Sequence, residues 1–467
     1  MTHITKVLAV PATGAYYYED LSALQAGPIP LAERYTAVPV TPGFRRVREP
    51  AEALSVGLVL DDGRVAWGDC VAVAYSGKAG RDPVFRVEAG LATVREVVAL
   101  ALRGREVMAF RELAEAVDGL LESVEVTRPL PQPKGMTRRD LLTAPARLWR
   151  AAQGQEEEEE GEAAPAERVR VERPLHTAVR YGASQALLRA VALVRGVTMA
   201  EVIAEEWGLP LPDAPVPIHA QSGSERIQNE RTHNADKMIA RRVASLPHAL
   251  VDDIPEQLGE DGSKLTRYVR WLKGRIRELG GDDYHPTIHL DVHGALGQVC
   301  ENNLGRVLGQ LYALELAAQP YPLRVESAVI MESRAAQIEA MRTLREYVRF
   351  RKMNVQLVVD EWANTLDDIR TFVDAQAADM IQIKMPDLGS VHNSVEAVLI
   401  CKAGGVGAFL GGSCVETDLS AKAAVHVALA VRPDIMMAKP GMGVDEGIML
   451  VRNEMARTLA WIRARSA

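Results

Sequence analysis

Cysteine is scarce in this 467-residue chain, and the four present, Cys70, Cys300, Cys401 and Cys414, show neither a CxxC pair nor zinc-like spacing. A chain of this size needs no disulfide staples, so a reducing, cytoplasmic setting is the expectation. No apolar run reaches about 18 residues, so no membrane-spanning helix is expected. The first ten residues lack a basic segment followed by a long apolar stretch and a cleavage site, so no targeting signal is expected there. Positive charge is also in deficit. With 54 Lys and Arg against 62 Asp and Glu, the net charge of −8 argues against nucleic acid or an anionic membrane as the main partner. An anionic small molecule would therefore need a cation to be held. The hydrophobic fraction of 48% and charged fraction of 25% are those of an ordinary globular protein, so any disorder is local.

What the chain does have is a series of short apolar runs ending in charge. His285–Asp291, Tyr321–Glu326, Val355–Asp360 and Met380–Lys384 are β-branched, bounded by Pro, Gly or polar residues, and separated by helical patterns. Their charged ends lie 35, 34 and 24 residues apart, each interval fitting a strand, a loop and a helix. Runs ending near Gln221, His248, Ser413 and Lys439 bring the strand count to eight, with the second expected in the region 237–244. This predicts a TIM-type (β/α)8 barrel over residues 166–467, with its chemistry at the C-terminal strand ends. Residues 1–165 mix strand-like runs, such as Leu54–Leu60 and Arg64–Asp69 about an Asp61-Asp62-Gly63 turn, with helical stretches over 89–102 and 109–123. They predict an N-terminal α+β capping domain, making the whole chain α/β. That domain ends in an acidic insertion, 153–167, with five consecutive glutamates. Like charges there repel, so a solvated segment without chemistry is expected. The glycine-rich Tyr75–Asp82 stretch is expected to be a mobile loop.

Three of the strand ends carry Asp291, Glu326 and Asp360. Carboxylates converging from neighbouring strands form an all-oxygen site suited to a hard divalent cation such as Mg2+. Taken alone, an acid at a strand end is usually a cap or a surface charge; three at barrel spacing are hard to explain that way. Lys384 ends the next strand, with Gln382 on the same face, as His289 shares a face with Asp291. An acidic cluster beside a lysine suits removal of a proton next to a carboxylate, because the cation stabilises the enolate formed. His248 and Lys384, on the second and sixth strands of a closed ring, would flank one carbon from opposite sides. His176 opens a helix and is read as structural.

Laid out in order, these residues resemble the methylaspartate ammonia-lyase family of the enolase superfamily nearly end to end. The resemblance rests on Gly68-Asp-Cys70, Tyr75-Ser-Gly77, Gly80-Arg-Asp-Pro83, His176–Gly182, Gln221-Ser-Gly223, Asp236–Ile239, Leu246–Leu250, Asp360-Glu-Trp362, Gln382-Ile-Lys384, Gly411–Cys414 and Lys439–Gly443. It implies a carbon–nitrogen lyase that converts threo-3-methyl-L-aspartate to mesaconate and ammonia through an enolate, with Mg2+ as cofactor and K+ as activator. It also implies a homodimer acting in amino-acid degradation. By the same resemblance, Asp291, Glu326 and Asp360 hold Mg2+, and Lys384 is the base for the (2S,3S) substrate. His248 serves the other C3 epimer, while Gln221, Gln382, Ser413 and Cys414 contact substrate.

The chain departs from the family pattern at Ala74, where a glutamine is usual, at Ser413 for threonine, and at Met437 for leucine. The loop Ser224–Asn234 is also longer and more polar. A different 3-substituted aspartate, a bulkier amine, or an acid dehydratase or racemase outcome therefore stays open. A barrel that binds a metal or ligand without catalysing is a further alternative, against which intact Lys384 and His248 speak.

Overall fold

The computed structural model describes residues 1–27, 29–129, 166–223, 226–229, 232–439 and 441–466. The chain begins with β1 (Ile4–Glu19), β2 (Arg48–Leu60) and β3 (Val65–Cys70), an antiparallel sheet in that order. The expected hairpin is present. Gly63 takes a φ of +85° between β2 and β3, the Leu60 amide donates to the Arg64 carbonyl, and Val59 pairs with Val65. The first expected helix runs from Val87 to Leu102, with a π-helical turn at Val94–Val98. The second stops at Asp118 rather than 123.

After it, β4 (Leu121–Pro129) pairs with β5 (Ala166–Pro174) in an antiparallel ribbon from Leu121↔Pro174 to Pro129↔Ala166. Residues 121–174 are a unit of their own, while 1–120 and 175–467 together form one compact unit. The acidic insertion expected over 153–167 lies, except for its last two residues, outside those described.

The sheet of β1–β3 rests on the helix Thr177–Arg195 at very close range. A Cβ added to Gly68 would lie 2.3 Å from the Gly182 carbonyl oxygen, and one on Gly182 would lie 2.4 Å from the Cys70 amide nitrogen. Only glycine at both positions lets strand and helix backbones meet this closely.

The remaining strands are β6 (Ile218–His219), a small pair β7 (Ile227–Asn229) and β8 (Thr232–His233), then β9 (Ser245–His248), β10 (Thr287–Asp291), β11 (Leu323–Glu326), β12 (Val355–Val359), β13 (Met380–Ile383), β14 (Gly407–Leu410) and β15 (Ile435–Met437). Eight of them close a parallel barrel in the order β10-β11-β12-β13-β14-β15-β6-β9. Their side chains are buried on both faces, as parallel strands under a helical layer require. Polar caps start the intervening helices: Ser333 accepts from the Ala336 amide, and Thr365 with Asp368 forms a capping box.

One expected strand moves. The region 237–244 is largely the helix Asn234–Ala240, which buries Met238 and Ile239, and the second barrel strand is Ser-Leu-Pro-His, four residues ending in His248. Inside the barrel, Val358, Met380, Phe409, Ile435 and Met437 form the apolar floor beneath the strand ends.

Candidate active site

Asp291 and Glu326 end β10 and β11 and pair in register, and Asp360 follows β12 directly. Lys384 follows β13, with Gln382 one residue inside it, and Gln221 lies two residues past β6. Ser413 and Cys414 occupy the turn after β14, and Met437 ends β15. In the ring, β9 and β13 are separated by four steps either way, so His248 and Lys384 face each other across it. Together with Ala74, these residues line one cavity, except Glu326, which lies fully buried behind it. The sequence-predicted residues are thus brought together, and none lies elsewhere.

The carboxylates are held by specific partners. Lys384 Nζ donates to Asp360 Oδ2. Arg81, from the loop expected to be mobile, is buried and donates to Asp360 Oδ1 at 3.1 Å and Asp387 Oδ2 at 2.8 Å. Gln382 Nε2 donates to Glu326 Oε1 at 2.5 Å, and His289 Nε2 lies 2.8 Å from Glu326 Oε2. His248 Nε2 is 3.3 Å from Asp291 Oδ2.

These contacts set the proton affinities. Burial, then the charges of Asp291 and Asp360, pushes the Glu326 carboxyl well above its ordinary value. Burial would also raise Asp360, but Lys384 and Arg81 outweigh it and hold Asp360 at about 2. For Lys384 burial and the Arg81 charge oppose the ammonium, yet the Asp360, Glu361 and Asp387 carboxylates together more than offset them, so it is held above the usual lysine value. Burial pushes the Cys414 thiol up to about 12.

Three acids drawn together with one forced towards the neutral form are what an all-oxygen cation site looks like before its cation. One ligand atom each from His248, His289 and Glu326 also lies within 4.8 Å of the others. Two imidazoles suit softer metals than Mg2+, and here both rings already have partners, so the three carboxylates are the better set for a hard cation.

Several strand ends turn through left-handed backbone at non-glycine residues: His248 at φ +69°, Ser327 at +51°, and Trp362 at +67°. Each costs roughly 1–2 kcal/mol, and such strain characteristically collects where side chains must be aimed. Sequence reasoning set His289 on the face of Asp291 but missed Arg81, His219, His293 and Glu361 as parts of this region. Only Arg81 and Glu361 stood in motifs that could have pointed to them.

The family models described as methylaspartate ammonia-lyase N-terminus and C-terminus match residues 2–208 and 210–464. Methylaspartate ammonia-lyase 2 of Carboxydothermus hydrogenoformans is 43% identical over 99% of both chains, and methylaspartate ammonia-lyase of Clostridium tetanomorphum is 39% identical over 99% of both. Among solved structures, a Mg complex of β-methylaspartase from Clostridium tetanomorphum superposes with a TM-score of 0.80 at 39% identity, covering 99% of this chain and 100% of that one. The Citrobacter amalonaticus methylaspartate ammonia lyase containing (2S,3S)-3-methylaspartic acid gives 0.83 at 38%, covering 99% and 100%. A muconate lactonizing enzyme from Pseudomonas fluorescens, at 13% identity and 0.56 over 93% of this chain and 87% of that one, shares the fold alone.

Proposed function

The chain belongs to the methylaspartate ammonia-lyase family, carbon–nitrogen lyases of enolase-like fold, and from that premise we propose that it deaminates threo-3-methyl-L-aspartate to mesaconate with Mg2+ held by Asp291, Glu326 and Asp360. Residues 1–165 serve as the cap and 166–467 as the catalytic barrel. The observation that carries the reading is the facing of Lys384 and His248 across a ring whose intervening strand ends supply the three acids.

When bound, Mg2+ supplies positive charge where the substrate carboxylate becomes an enolate. Lys384 Nζ takes the C3 proton of the (2S,3S) substrate; the electron pair left behind is delocalised into the adjoining carboxylate as the enolate and then forms the C2–C3 double bond as the C2–N bond breaks and ammonia leaves. Before it can accept that proton Lys384 must itself be neutral. Its ion pair with Asp360 opposes this. His248, on the opposite side, takes the C3 proton of the other epimer and contacts the substrate carboxylate. Gln221, Gln382, Ser413 and Cys414 orient the substrate's polar groups. K+ is proposed as activator and a homodimer as the working assembly, both on family grounds. Among the described residues no helix is long and apolar enough to cross a membrane, in keeping with a cytoplasmic enzyme.

One observation favours a second substrate range. Ala74 lines the cavity with a methyl group where the family carries a glutamine amide, which leaves room beside the departing amine. The primary test is ultraviolet-monitored deamination of (2S,3S)-3-methylaspartate with Mg2+ and K+, with Lys384→Ala as control. Rapid turnover lost in Lys384→Ala is expected. A folded, metal-loaded protein inactive on every 3-substituted aspartate overturns the proposal.

A further inference from the structure

Behind His248, away from the cavity, the barrel interior holds a second histidine with no contact to the substrate space. His219 is fully buried on β6, next to β9 in the ring, and pairs in register with Ser245. Its Nδ1 lies 2.6 Å from Ser245 Oγ and its Nε2 3.3 Å from His248 Nδ1. The ring is wedged between Phe409, edge-on at 5.2 Å and 82°, and the His289 ring at 4.6 Å. It is absent from the cavity wall, whereas His248 lines it.

We infer that His219 is a positioning residue for His248, fixing which of its two ring nitrogens presents a lone pair to the substrate. The inference rests on the reading above that His248 handles the second C3 epimer.

A neutral imidazole carries one N–H, and the partner of the other nitrogen decides where it sits. Burial, then the neighbouring His248, holds His219 well below the usual histidine range, hence neutral. With its N–H on Nδ1 donated to Ser245 Oγ, its Nε2 accepts from His248 Nδ1–H. His248 Nε2 is then left as a lone pair, the form a base requires, against the pull of Asp291 Oδ2, which lies 3.3 Å away and would accept a hydrogen there. The same hydrogen bond remains once Nε2 has taken a proton. Without His219, the His248 ring is free to carry its hydrogen on Nε2, where Asp291 Oδ2 at 3.3 Å accepts it. That is the wrong tautomer for proton abstraction.

A merely structural role would damage both epimers' reactions alike, and this gives the test. Initial rates on (2S,3S)- and (2S,3R)-3-methylaspartate are measured for wild type, His219→Phe, His219→Gln, Ser245→Ala and His248→Ala, with Mg2+ and K+ saturating. His219→Phe should lower kcat on the (2S,3R) epimer by roughly 30-fold or more, while kcat on (2S,3S), which uses Lys384, stays within about twofold. His219→Gln, which keeps an acceptor, should recover part of the loss. Ser245→Ala, a small change safe for folding, should shift the same ratio in the same direction by less. Equal losses on both epimers, or an unchanged ratio in both His219→Phe and Ser245→Ala, would overturn the inference while leaving His248 in its role. If His248→Ala itself spares the (2S,3R) reaction, the parent reading of His248 fails and the inference with it.

Discussion

Replacing Arg81 tests whether the carboxylate cluster is balanced as the structure implies. Its guanidinium, 1% exposed, is 3.1 Å from Asp360, 2.8 Å from Asp387 and 3.9 Å from Glu361. With Lys384 it sets two positive charges against those three acids and Glu326. Arg81→Met keeps the bulk of the stem and removes the charge. Breaking a buried ion pair from one side typically costs about 3–5 kcal/mol, because the remaining carboxylates stay buried without compensation. Asp387 limits the penalty: burial already raises it despite Arg81, so in the variant it takes up a proton rather than staying bare. The sign follows. Below the raised Asp387 value the group is neutral and the loss shrinks; above it the loss is full. Urea unfolding followed by circular dichroism, with metal chelated, should therefore show a midpoint shift worth about 3–5 kcal/mol at pH 8 that narrows as pH falls. Adding Asp387→Asn to Arg81→Met should recover roughly 1–2 kcal/mol of it, the coupling expected of direct contacts. An Arg81→Met midpoint within about 0.5 kcal/mol of wild type would refute the view that this cluster depends on the guanidinium.

Three further outcomes follow from the same geometry. Because burial and two neighbouring acids hold Glu326 towards its neutral form, Mg2+ must displace its proton; affinity should fall as pH drops below that raised value, and calorimetry in buffers of different ionisation enthalpy should show proton release that diminishes in Glu326→Gln. No change in proton release would count against Glu326 as a ligand. Gly182→Ala should be destabilising by roughly 2–3 kcal/mol or more, since the added methyl would stand 2.4 Å from the Cys70 amide nitrogen; an unchanged melting temperature would contradict the close strand–helix approach. With its thiol at about 12, Cys414 is ionised in only about one molecule in ten thousand at pH 8, so alkylation by iodoacetamide should be far slower than for a free thiol, and rapid labelling would contradict the raised proton affinity of the thiol.

The core of the ring was readable because β10 to β13 are short apolar runs that end in, or are followed at once by, a charged residue, and both signals survive without any knowledge of the packing. The strand that failed, Ser245–His248, contains Pro247 and only four residues, so it offered neither a β-rich run nor alternation, while Met238 and Ile239 next door had enough apolar weight to be taken for it. The helix expected through 123 ended early because Ser123-Val-Glu-Val-Thr127 alternates with period two once Gly119 has broken the helix. Asp291, Glu326, Asp360 and Lys384 stood out by position at strand ends. His289 was placed only by its alternation with Asp291, and His219 not at all, since a histidine inside a strand becomes informative only when its partners, brought from other strands, are known.

The grip of Arg81 on Asp360 and Asp387 also has a temporal side. The partners lie 279 and 306 residues further along the chain, so at about 5–20 residues per second the ribosome delivers the second of them roughly 15–60 s after the arginine. Throughout that interval β1–β3 can pair, because their register needs only the first 70 residues. The loop bearing Arg81 cannot be buried, because its charge has no counter-ion but water. The segment made early is therefore fastened by the segment made late, and a buried Arg81 certifies that β12 and β13 have been synthesised and placed.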